Sequence, residues 1–132
     1  MNTTASEYHP QSAAHALERI IGGTAPWQAV GQFIDDWRRA PLAQRSALSE
    51  EPLPSAPAQH ARWAALLAAS VESLCTEDGL TFPSWTSRSE YRLPEPWFLY
   101  PGWRLRAWQL FETPVPFRMR NIFGGDRILS RV

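Results

Sequence analysis

The sequence predicts a mainly α single domain of about four to five helices, packed on a Pro- and Trp-rich C-terminal region with at most a minor β element. Three observations predict it. Apolar residues recur at spacings of three and four in separate stretches, which turns one helix face inward. Glycine pairs or an Asp-Gly step close those stretches. Prolines gather in the connectors and in the last third, where they interrupt regular structure. With 132 residues, 44% of them hydrophobic and seven of them tryptophan, the chain suffices for one core and is too apolar for wholesale disorder.

Residues 1–11 lack periodicity and are expected to be flexible, leaving 12–132 as one helical interaction domain. Ser12 is placed to cap a first helix whose apolar positions are Ala13, Ala14, Leu17, Ile20 and Ile21. Gly22-Gly23 ends it. Thr24 fits the next N-cap, and Pro26 fits a first helical turn. Trp27, Val30, Phe33, Ile34 and Trp37 then share a core face, with Asp35, Asp36, Arg38 and Arg39 largely on the other sides. Pro41 starts a short third helix through Leu48. Residues 49–58 hold three prolines and form a loop. The fourth helix runs from about 59 to 76, with Trp63, Leu66, Leu67, Ser70, Val71 and Leu74 as its buried stripe. Asp78-Gly79 stops it. Further on, Trp103, Leu105, Ala107, Trp108, Leu110 and Phe111 predict another short helix. Thr113-Pro114 fits the start of one more helical turn. Ile122-Phe123 and Ile128-Leu129 fit two very short strands or an extended tail.

Charge narrows the function. Thirteen basic residues, all arginine, balance thirteen acidic ones, so no overall field recruits polyanions or a membrane surface. The balance is uneven along the chain. Residues 79–132 carry eight arginines against four acids, and residues 1–78 carry five against nine. The first eleven residues show neither a basic nor an apolar region of a secretory signal. No apolar run reaches the roughly 18 residues of a membrane-spanning helix. The lone Cys75 suits a reducing compartment. A cytoplasmic chain without a membrane partner is expected.

Catalytic patterns are missing from the sequence. His9, His15 and His60 form no HExxH motif. His60 and Cys75 sit fifteen residues apart on one predicted helix, roughly 22 Å, far beyond the reach of a nucleophile–base pair. Asp35 and Asp36 point about 100° apart on a helix and cannot share a substrate. There is no glycine-rich phosphate loop, and a chain without lysine cannot form a Walker motif. Gly124-Gly125 is a glycine turn at most. No catalytic, cofactor-binding or metal-binding residue is expected, and the chain is expected not to be an enzyme.

The strongest constellation is Arg118, Arg120, Asn121, Phe123 and Arg127, preceded by Trp97, Phe98, Trp103, Arg104, Arg106 and Trp108. Arginines interleaved with aromatics stack on bases and contact phosphates. They equally supply the energetic centre of a protein interface. A third reading makes the aromatics core and the arginines their solvated flanks.

A wider pattern adds to this. It comprises WAALL at 63–67, Gly79-Leu80, Pro83 with Trp85, Pro96-Trp97-Phe98, Leu105-Arg106-Ala107 and Thr113-Pro114. It continues through Phe117, Arg118 and Arg120-Asn121-Ile122-Phe123 to Leu129-Ser130-Arg131. The pattern resembles a bacterial accessory domain that follows an XRE-type helix-turn-helix in antitoxins or regulators. Genes for that domain accompany nucleotidyltransferase-like proteins of toxin–antitoxin pairs. The resemblance covers residues 27–132 loosely, and the RNIF segment is its most specific part. Residues 1–23 supply at most one helix, so direct operator binding is not expected here. The resemblance implies partner binding through Trp97, Phe98, Arg118, Arg120, Asn121 and Phe123. With Arg104, Arg106 and Arg127 from the same segment, these form the candidate partner-binding set. The expected function is an antitoxin-like neutraliser of a nucleotidyltransferase-like partner. The alternative is a nucleic-acid-associated transcriptional regulator using the same segment.

Overall fold

The structure, a computed structural model, describes residues 9–130. Ser12 opens α1 (Ala13–Ile21), and its hydroxyl accepts the His15 N–H at 3.1 Å, satisfying a donor that a helix start leaves unpaired. Gly23, at φ 111°, turns the chain out, and the Thr24 N–H returns to the Arg19 carbonyl at 2.9 Å. α2 (Pro26–Arg39) then begins on Ala25 without a side-chain cap. Thr24 therefore does not hold the expected N-cap role. Pro26 starts the helix instead, because its φ is already helical and it has no N–H to leave unpaired.

α3 (Leu42–Arg45) runs into a 3-10 turn at Ser46–Leu48. Arg45 ties this corner to both neighbouring helices. Its guanidinium donates to Asp78 at 2.9 Å and to the Arg38 and Ala40 carbonyls, and Asp78 also accepts the Trp37 indole N–H at 2.7 Å. After the loop, α4 (Ala61–Glu77) crosses the centre of the molecule. Every residue from Ala64 to Leu74 except Glu72 is buried, so α4 buries more than the predicted stripe. Its alanines let α1, α6 (Val115–Arg118) and the 3-10 turns at Ser84–Ser87 and Ser89–Tyr91 approach from several sides. Gly79, at φ 71°, ends the helix, and the Leu80 N–H reaches the Cys75 carbonyl.

α2 lays Ala29, Val30, Phe33, Ile34 and Trp37 into this core. Two of its residues depart from the pattern. Trp27 is half exposed, resting edge-on against Trp63. Asp36 is buried, because it accepts the Gln11 backbone N–H at 2.8 Å and the Gln32 amide at 2.9 Å. That bond holds residue 11 to the domain, within the segment expected to be flexible; residues 1–8 of that segment lie outside the described residues.

The C-terminal third contains β1 (Trp97–Phe98), α5 (Arg106–Glu112), α6 and β2 (Ile122–Phe123). The strands pair in parallel, Trp97 opposite Ile122 and Phe98 opposite Phe123. β2 takes the strand alternative of the two open at 122–123, whereas its partner at 97–98 is too short for any alternation to be visible. Residues 128–129 form no strand; a 3-10 turn at Gly125–Arg127 precedes them. The fold is mainly helical, with six α-helices among the described residues. No helix among those residues is long and apolar enough to cross a membrane.

Candidate interaction surface

The predicted partner-binding residues divide into two groups. Arg120 is only 5% exposed. Its guanidinium donates to Glu72 at 2.8 Å, to the Thr86 carbonyl at 2.7 Å and to the Pro116 carbonyl at 2.7 Å. It braces α6 and the 84–87 turn against α4, and it is not available to a partner. Asn121 also serves the fold. It occupies a left-handed backbone position, φ 67°, and its amide donates to the Leu93 carbonyl at 2.9 Å.

The aromatic members are half buried. Trp97 packs edge-on against Trp63 at 5.0 Å, extending the Trp27–Trp63 contact into a three-ring ladder, and Arg62 lies over Trp97. Phe98 and Phe123 stack across the two strands at 5.1 Å, and the Arg106 guanidinium covers Phe98 at 3.9 Å. Arg104, Arg118 and Arg127 are exposed.

The surface that stands open is on α5. Its inner face carries polar anchors. The Gln109 side chain is fully buried and imitates a strand partner: it accepts the Tyr100 N–H at 3.0 Å and donates to the Tyr100 carbonyl at 3.1 Å. The Thr113 hydroxyl donates to the Gln109 carbonyl and accepts both the Gly124 and Gly125 N–H groups. The glycine turn thus directs its amides at a side chain of this chain. Trp108 lies flat against Gly125, where an added Cβ would sit 2.2 Å from the indole ring, and its N–H reaches Asp126 at 3.2 Å. Gly125 is held at φ 75°, so both the close approach and the backbone require glycine there.

With Trp108 and Gln109 turned inward, the opposite face turns outward. Ala107, Leu110 and Phe111 share it at spacings of three and four. Phe111 is 78% exposed, and Trp103, in the turn that leads into α5, is 81% exposed. Val115 on α6 and Met119, which caps it one turn later, continue as exposed apolar side chains. Arg104, in the turn before α5, and Arg118 on α6 are exposed cations beside this face, and Arg106 of α5 is exposed where it covers Phe98. The predicted helix at 103–112 is therefore present, but its largest apolar residues face out. The legible signal was Gln109, a polar residue inside an apolar run.

Elsewhere, Cys75 is buried, and burial pushes its thiol up, with a smaller opposing contribution from a hydrogen bond with Ser49. Among the described residues no group of three or more His, Cys, Asp or Glu side chains is placed to hold a metal ion. No protein-family model, curated protein or solved structure matches the chain.

Proposed function

We propose that this chain is a non-enzymatic protein-binding module that docks a cognate protein on the outward face of α5 and α6. One observation carries the reading: Phe111 on α5 and Trp103 in the turn before it are about four-fifths exposed, while the inner face of α5 is fixed by hydrogen bonds. Large aromatic side chains left in water by a rigid support are the residue type that dominates interface energetics. Arginines beside them add directional pairing with partner carboxylates. The sequence resemblance supplies the finer proposal. The partner is a nucleotidyltransferase-like toxin in the cytoplasm, held inactive in the complex, with Arg104 and Arg118 pairing with its acidic groups.

The test is a tagged recovery from the native cell with nuclease treatment. The expected result is one near-stoichiometric protein that survives nuclease, arrests growth when expressed alone, and is neutralised by this chain. Recovery that nuclease abolishes, with steep salt dependence from counterion release, would overturn it in favour of the nucleic-acid-associated regulator.

A further inference from the structure

A cavity of about 150 Å³ opens where Arg120 meets the 84–92 segment, lined in part by Glu72, Ser87, Arg88, Arg92 and Arg120. Three guanidinium groups there face one carboxylate. Arg120 and Glu72 neutralise each other at 2.8 Å, and Arg120 also donates to the Thr86 and Pro116 carbonyls. Arg88 and Arg92 are exposed, and neither forms an ion pair among the described residues. The cavity therefore keeps two uncompensated positive charges beside a hydroxyl.

We propose that this cavity binds a phosphate group, free or as a monoester, through Arg88, Arg92 and Ser87. Charge selects it: a phosphate monoester carries about −1.5 to −2 at neutral pH, which matches the two guanidinium groups that lack an ion-pair partner among the described residues. Geometry selects it over a carboxylate. Two oxygens fill one guanidinium fork, whereas phosphate offers enough oxygens to engage two forks and a hydroxyl.

The backbone beneath the two arginines is already held. The Arg88 N–H bonds the Trp85 carbonyl and the Arg92 N–H bonds the Ser89 carbonyl. Trp85, Thr86 and Tyr91 are buried around them, and Arg120 grips the Thr86 carbonyl from below. None of Ser87, Arg88 and Arg92 lies on α5 or α6, although Met119 at the edge of the docking face also lines the cavity.

Orthophosphate is the probe. It is titrated into the isotope-labelled full chain at constant ionic strength, with chloride as the replaced anion, while amide resonances are followed. The expected result is saturable shifts at Ser87, Arg88 and Arg92. The Arg88→Gln, Arg92→Gln double variant should bind at least tenfold more weakly while its far-ultraviolet circular dichroism stays unchanged. Glycerol phosphate then separates the sources: equal or tighter binding assigns an esterified group, and loss of binding assigns the free ion. Shifts that do not saturate, an equal response to acetate, or undiminished binding by the folded double variant would overturn the proposal.

Discussion

The helical half, α1 to α4, and the C-terminal third are held together by different forces. In the first, Leu17, Ile20, Phe33, Trp37, Leu66 and Leu67 are sealed from water, and stability comes mainly from apolar area removed from solvent. In the second, short elements are held by side chains that bond to backbone: Arg120 to two carbonyls, Gln109 to both groups of Tyr100, Thr113 to two glycine amides, and Asn121 to Leu93. The two halves therefore present different surfaces to a partner. Apolar burial hides the aromatic residues it uses. Polar anchoring fixes α5 through its inner face and leaves Leu110, Phe111 and Trp103 in water.

The sharpest break in that comparison is Arg120→Ala. It strands the Glu72 carboxylate and two carbonyls, and removing one member of a buried pair costs about 3–5 kcal/mol. Urea unfolding should show this loss. Arg118→Ala, at an exposed position two residues earlier at the end of α6, should stay within about 0.5 kcal/mol of the parent. The double variant Arg120→Met, Glu72→Leu should recover much of the loss, since replacing both partners removes the unpaired charge.

Leu67→Ala in the helical half should cost about 2–5 kcal/mol through lost burial and a cavity, read from the same unfolding curves. Gln109→Ala should cost about 1–3 kcal/mol by leaving the Tyr100 backbone groups unsatisfied. Its distinguishing mark is local: amide exchange should accelerate across α5 and residues 99–101 while α4 stays protected.

The smallest effect lies in alkali. Burial raises the Cys75 thiol and the Tyr91 phenol above their ordinary values of 9.0 and 10.0, with Glu90 adding to the rise at Tyr91 and Arg88 opposing it. Each group is thus protonated more readily in the folded than in the unfolded chain. Their contribution is complete below the unfolded values and is lost as pH rises through the raised folded ones. Stability measured against pH should fall first above about pH 9, and Cys75→Ala should remove that first part of the decline while leaving the part near pH 10 and above.

Legibility followed the range of each interaction. The Ser12 cap, the glycine stops and the α4 pattern are local signals, and each corresponds to an element that formed. Arg120 could not be separated from Arg118 by sequence, because its carboxylate partner lies 48 residues away. Asp36 was misplaced for the same reason: its Gln11 contact spans 25 residues. β1 is two residues long and carries no periodicity to detect. The outward turn of α5 was partly legible. A glutamine between Trp108 and Leu110 breaks the apolar run, and Gly124-Gly125 marks where the backbone comes close. What was missing was the Tyr100 backbone pair that makes burying Gln109 favourable.

The account rests most heavily on the α5 face being held for a partner and contributing nothing to the fold. The direct measurement is the Trp103→Ala, Phe111→Ala double variant, assayed for urea midpoint and for recovery of the co-purifying protein. The account predicts a midpoint within about 0.5 kcal/mol of the parent and loss of the partner, as expected when hot-spot aromatics worth about 2 kcal/mol or more each are removed. A lowered midpoint, or a stable variant that retains the partner, would contradict it.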